Sequence, residues 1–197
     1  MSVSVPFFLA LALSYLLGSV PTGLWLGRWL RGVDIRQAGS KNIGATNTMR
    51  VLGKRLGAVA LTADIAKGLI PVIAFARLSP GDAQLPILCG IAAILGHTFS
   101  LFIRFRGGKG VATSAGVFLG LATWPALIAV GVFAVVVAIT RMVSAGSVCA
   151  AVALAVSVWF FPLSTVIRVV TGIVALLVIV KHRENIKRIM KGEESKI

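Results

Sequence analysis

The chain is poor in charge, in acids and in cysteine. Charged residues make up 13% of its 197 positions while 57% are hydrophobic, and mean hydropathy is +0.95. Soluble domains carry about 25% charge, so an ordinary soluble domain is excluded and an integral membrane protein is indicated. Only 6 acids face 20 lysines and arginines, a net charge of +14. In a soluble protein that excess suits nucleic acid. In a membrane chain the same residues gather at cytoplasmic loops and set topology, so nucleic acid is not an expected partner. Cys89 and Cys149 both fall in apolar segments, as small hydrophobes without disulfide or metal spacing. The first residues, MSVSVPFFLALAL, lack the basic region of a signal peptide and read as the start of a retained helix. GxxxxGK[ST], HExxH, GxSxG and any Cys/His array are missing, which excludes a nucleotide loop, the common metal centres and a nucleophile elbow. No metal and no cofactor is expected.

What is there is a series of long apolar runs. Residues 4–27 are long enough to span a core of ~30 Å and end in the aromatic and basic anchor Trp25, Arg28, Trp29, Arg31. A polar, basic loop covers 28–55. Residues 57–77 are apolar except for Asp64 and Lys67, and 85–103 form a third run. Residues 111–139 as one straight helix would measure about 44 Å, too long for one crossing. Trp124-Pro125 offers a break into two short halves. Residues 143–180 divide at Phe161-Pro162-Leu163-Ser164, and a charged tail follows.

Charge decides the count. If both long runs are hairpins, the basic loops and the tail fall on one side, leaving only Lys67, Arg77 and Arg168 of the 20 basic residues elsewhere. The positive-inside rule then predicts an all-α bundle of seven transmembrane helices, some short, with the amino terminus outside and the carboxyl terminus cytoplasmic. Residues 1–197 are read as a single membrane-embedded domain. No internal repeat is evident, against an inverted-repeat transporter.

Four polar clusters remain. Gly39 to Arg50, GSKNIGATNTMR, is rich in small hydrogen-bonding residues. Ser40, Asn42, Gly44, Asn47 and Arg50 suit phosphate and hydroxyl groups; a solvated turn before an amphipathic helix explains them equally. Asp64 and Lys67 share a helix face and read as a structural ion pair or as part of a site. Gly107-Gly108-Lys109-Gly110 offers flexible backbone, amides and one full charge to an anion. His97 lies about a helix length before it, expected deep in the membrane, either as hydrogen-bonded structure or as a base. In the tail, His182 and Asn185 share a helical face near several basic residues, which anionic lipid alone explains except for the His/Asn pair. Ser144 and Ser147 open a helix whose first amides suit an anion.

Taken together, the stretches GSVPTG (18–23), GSKNIGATNTMRVLGK (39–54), DIAKG (64–68), GHTFSLFIRFRGGKGVAT (96–113) and HRENIKRIMKGEE (182–194) resemble one family, the bacterial acyl-phosphate:glycerol-3-phosphate acyltransferases. The resemblance runs in order over nearly the whole chain. Lys41, Ile43 and Ser100 depart from it, standing where Gly, Pro and Pro are expected. The His-x4-Asp pair of other glycerolipid acyltransferases is missing, since Phe102 and Lys187 follow His97 and His182 at the fifth position.

The resemblance implies a seven-helix enzyme of the bacterial cytoplasmic (inner) membrane with a cytoplasmic active site. It implies acyl transfer from acyl phosphate to the 1-hydroxyl of sn-glycerol 3-phosphate, giving lysophosphatidate and phosphate, the first acylation of phospholipid synthesis. Lys109, His182 and Asn185 are the expected catalytic residues. Ser40, Asn42, Gly44, Asn47, Arg50, Gly107, Gly108, Gly110 and Ser147 are the expected substrate ligands, and Asp64, Lys67 and His97 a supporting set. The base is His182 or a substrate phosphate oxygen. Expected partners are the two substrates and the bilayer, with other phospholipid-synthesis enzymes left open. An anion transporter is the rival reading; polar groups crowded on one side count against it.

Overall fold

The computed structural model describes residues 5–197, and every regular element among them is helical. The chain divides into two compact units, one extending to Gly120 and the other Leu121–Ile197.

The first unit holds α1 (Val5–Ser19), α2 (Thr22–Arg31), α3 (Ala45–Leu52), α4 (Lys54–Ile73), α5 (Leu85–Thr98) and most of α6 (Val111–Leu121). The run expected as one span over 4–27 is broken between α1 and α2, which bend by 48°; residue 4 lies outside the described residues. Pro21 is the cause, because it has no N–H to continue the ladder and disfavours α conformation at Val20. Small residues let neighbouring helices approach closely. Gly18 abuts Ala93, and Gly96 abuts the Tyr15 carbonyl, fastening α1 to α5; Gly68 meets the Thr113 carbonyl and Gly116 the Ile65 carbonyl, fastening α4 to α6. Beyond the helices, Leu24, Ile35, Ile43 and Ile103 form one buried cluster with Val51 and Leu52 against it. Leu24 and Ile35 are fully enclosed, and burying such a side chain contributes about 1.5–3 kcal/mol. The cluster ties the 35–52 segment to the loop after α5.

The second unit contains α7 (Thr123–Thr140), α8 (Val143–Ser157), α9 (Thr165–Lys181) and α10 (Arg183–Met190). The break expected at Trp124-Pro125 occurs slightly earlier, at Ala122. Pro125 instead sits in the first turn of α7, where a missing N–H leaves no helical bond unmade. The two halves are therefore unequal, with 11 residues in α6 and 18 in α7. The break at Phe161–Ser164 falls as expected, and the Ser164 hydroxyl caps α9 by accepting from the Ile167 amide at 3.3 Å. At His182 the chain bends by 57° into α10. Among the described residues four helices are long and apolar enough to cross a membrane, or up to six spans if each bent pair counts as one.

Candidate active site

In the first unit the 34–50 segment is organised by two side chains. Asp34 accepts from the Arg36 amide at 3.0 Å and from Arg36 Nη2 at 2.6 Å, and from Arg28 Nη2 at 2.9 Å. The Arg36 contact above all holds this carboxyl well below the usual carboxylate range, against the opposing effect of burial, and in turn raises the Arg36 guanidinium. Asn47 is 1% exposed. Its Oδ1 accepts from the Ser40 amide at 2.7 Å. Its Nδ2 donates to the carbonyls of Ile35 and Asn42, both at 2.8 Å, and of Ala38 at 3.2 Å.

These bonds commit the Asn47 amide to the loop. It is a scaffold, where a substrate ligand was expected. Asn42 Oδ1 accepts from the Gly44 amide at 3.0 Å, so this oxygen and that amide both serve the turn. Ser40 and Arg50, by contrast, lie on the exposed side of the segment. Lys41 stands in the left-handed region with φ of 57°, the conformation that favours the glycine expected there.

The glycine loop is held from beneath. The Gly107 amide donates to the Thr98 carbonyl at 3.1 Å and the Gly108 amide to the His97 carbonyl at 3.0 Å. Those two amides are consumed inside the fold, which corrects the expectation that they bind an anion. The loop's offering is the half-buried Lys109 and the turn at Gly110, whose φ of 80° requires glycine and leads into α6. Buried hydroxyls of Thr98, Thr113 and Ser114 make no hydrogen bond among the described residues; those of Thr98 and Ser114 lie against Gly110.

Asp64 and Lys67 form a buried pair at 2.7 Å, and Lys67 Nζ also donates to the Val20 carbonyl at 2.8 Å. The charges thus lock α4 to the break after α1. His97 is in the last turn of α5, its Nδ1 4.0 Å from Asp64 Oδ1. It lies directly under Gly108 and not a helix length from the loop.

In the second unit the residues gather around one acid. Glu194 is 8% exposed. Its Oε1 accepts from Ser144 Oγ and from Asn185 Nδ2, both at 2.7 Å. Its Oε2 accepts from Arg188 Nε at 2.7 Å. Burial alone would raise this carboxyl, but the donors from Asn185, Ser144 and Arg188 outweigh it and hold it below the ordinary glutamate value. Sequence reasoning missed Glu194 as a functional residue. Its signal was the scarcity of acids: it is one of only 6, and it closes the 182–194 stretch that carries Asn185.

His182 Nδ1 lies 2.8 Å from the Val178 carbonyl. A carbonyl only accepts, so Nδ1 carries hydrogen and Nε2 is the basic nitrogen of the neutral ring. Ser147 is buried and donates to the Val143 carbonyl at 2.8 Å, a bond within its own helix. The first unit thus carries Ser40 and Lys109 on loops and Arg50 in the last turn of α3. The second carries Ser144, Ser147, His182, Asn185 and Glu194 at the ends of α8, α9 and α10.

Residues 8–192 match the family model described as "Glycerol-3-phosphate acyltransferase". A protein of that name from Trichlorobacter lovleyi is 46% identical over 183 residues, covering 93% of each chain. One from Fusobacterium nucleatum is 44% identical, covering 96% of this chain and 97% of the relative. Among solved structures, the crystal structure of PlsY (YgiH), an integral membrane glycerol 3-phosphate acyltransferase, is similar in its glycerol 3-phosphate form with a TM-score of 0.90 at 33% identity, covering 97% of this chain and 95% of that one. Its lysophosphatidic acid form matches with a TM-score of 0.87.

Proposed function

Because the chain belongs to the glycerol-3-phosphate acyltransferase family, we propose that it transfers a fatty acyl group from an acyl phosphate to the 1-hydroxyl of sn-glycerol 3-phosphate. The carrying observation is the likeness, over 97% of the chain, to a solved acyltransferase in its glycerol 3-phosphate form. The motif resemblance supports acyl phosphate as the donor. Both substrates then carry phosphate, and exposed Arg50 and half-buried Lys109 are cations suited to such groups.

In the reaction the 1-hydroxyl oxygen attacks the acyl carbonyl carbon. A carbon–oxygen bond forms, the bond to the phosphate oxygen breaks, and inorganic phosphate leaves with the electron pair. An acyl phosphate is already activated, so the enzyme supplies position and charge stabilisation without an acyl-enzyme. Lys109 is assigned to the leaving phosphate, and Ser40 and Arg50 to glycerol 3-phosphate. Asn42, Gly44 and Asn47 shape the loop that presents them. The resemblance assigns the hydroxyl proton to His182 or to a substrate phosphate oxygen, and gives Asn185, held by Glu194, and Ser147 supporting roles. No cofactor takes part.

The assigned setting is the cytoplasmic membrane of a bacterium. The chain acts there as one domain with seven crossings, its amino terminus outside and its active site facing the cytoplasm. The excess of basic residues in the loops after α2, α5 and α7 and in the tail supports this orientation.

The test is phosphate release by the purified protein in detergent, with palmitoyl phosphate and glycerol 3-phosphate, and palmitoyl-coenzyme A as a parallel donor. Release that needs both substrates, with lysophosphatidate as product, is expected. Product only from the thioester would overturn the donor. Lys109→Ala and Arg50→Ala are each expected to lose at least ~100-fold in kcat/KM, the scale of a lost charge-stabilising contact; near-normal turnover in both would refute the assignment.

A further inference from the structure

We propose that His97 is a positioning residue for the Gly107–Gly110 loop, standing between that loop and a buried ion pair at the break between α1 and α2. The Lys67 ammonium donates to the Val20 carbonyl at 2.8 Å and pairs with Asp64 Oδ1 at 2.7 Å. The same oxygen lies 4.0 Å from His97 Nδ1. At the opposite edge of the ring, Nε2 lies closest to where a side chain on Gly108 would begin, and Cε1 and Cδ2 of the same ring come next. The His97 carbonyl meanwhile takes the Gly108 amide at 3.0 Å. His97 therefore holds the loop twice, by its backbone and by its ring. Asp64, Lys67 and His97 are each only 3–4% exposed, so little at this spot can shift independently.

Asp64 already has Lys67 as its counter-charge, so neutralising it does not account for the imidazole. What rests on the imidazole does. Gly108 lies outside the left-handed region, and the nearest obstacles to a methyl there all belong to His97. Glycine at 108 is thus matched to a ring at 97. With the Gly107 and Gly108 amides turned inward, the group the loop presents is Lys109, and its height is set by the floor under Gly108. The inference rests on the reading of Lys109 as the ligand of the leaving phosphate.

The test is a pair of mutant cycles on the purified full chain, with kcat and KM measured for palmitoyl phosphate and glycerol 3-phosphate. A ~1 Å misplacement costs up to about 100-fold. Gly108→Ala is therefore expected to lose about 10–100-fold in kcat/KM, and His97→Ala about 10-fold. The double variant is expected to be no worse than the poorer single, because the methyl occupies space the ring vacated. In a Lys109→Ala background, His97→Ala is expected to cost less than about threefold, since coupled positions are not additive.

Losses that multiply in either cycle would overturn the proposal. If Lys109→Ala alone keeps wild-type turnover, the leaving-phosphate reading falls, and the Gly108/His97 cycle still judges the fit of ring to loop. Should alanine at 97 fail to fold, His97→Asn replaces it in both cycles.

Discussion

Replacing Glu194 with alanine is expected to damage both stability and turnover. The carboxylate takes hydrogen bonds from Ser144 and Asn185, both buried, and from Arg188, which is 42% exposed. Removing the acceptor leaves two buried donors unsatisfied, at about 1–3 kcal/mol each. The half-exposed arginine contributes under about 1 kcal/mol after solvent screening. The total is about 2–7 kcal/mol, and at ~2–4 °C per kcal/mol for a chain of this size the unfolding midpoint in detergent falls by at least about 4 °C. Glu194→Gln keeps one oxygen for Ser144 and Asn185 but sets an N–H against Arg188, so its loss is about 1–2 kcal/mol. Turnover falls by about 100-fold in the alanine variant, because Asn185 loses the group that orients it.

The pH dependence has a definite sign. The folded-state value of Glu194 is depressed. Its contribution is therefore fully present above the ordinary glutamate range and is lost as pH falls through the folded value. Thermal unfolding followed by circular dichroism, with phosphate release on the same samples, checks all of this. An alanine variant with an unchanged midpoint and turnover within twofold of wild type would refute the reasoning. So would a wild-type protein that grows more stable on acidification below the glutamate range.

Lys41→Gly relieves a left-handed non-glycine residue, worth ~1–2 kcal/mol, less the ~0.5–1 kcal/mol entropy cost of glycine; a midpoint rise of a few degrees with turnover preserved is expected on thermal unfolding. Asn47→Ala leaves the Ser40 amide and three carbonyls without their partner and is expected to destabilise by about 2–4 kcal/mol; the KM for glycerol 3-phosphate should rise, read by steady-state kinetics. Asp64→Ala strands the Lys67 ammonium in the interior at a cost of about 3–5 kcal/mol, whereas an apolar pair, Asp64→Leu with Lys67→Met, is expected to cost far less; comparing folded yields and unfolding midpoints in detergent decides it.

The helices were legible wherever an apolar run was long enough to demand them. That 111–139 is not one straight helix followed from its length, and the break at Phe161–Ser164 from its proline. Pro21 was passed over because no charged residue stands near it, so the uncharged run continues across it. The break near Trp124 was misplaced because a proline ends one helix or begins the next with the same residue. The polar clusters were visible as composition. What each group does with its donors was not. Asn47 and the Gly107 and Gly108 amides were expected to face a substrate, yet they bond to carbonyls that only the folded chain brings near. Glu194 stands in a charged tail, where an acid is normally solvated; its burial depends on Ser144, 50 residues earlier.

The Asp64–Lys67 pair also bears on how the chain enters its bilayer. Both partners lie three residues apart on α4, so the pair closes within one newly made helix and needs no neighbour to form. A lone Asp or Lys at the centre of an inserting helix costs about 2.5–3.5 kcal/mol. Joined on one turn they travel as a neutral unit, and the segment can leave the insertion machinery unaided. The bond from Lys67 to Val20 then records where that helix came to rest against one already waiting in the membrane.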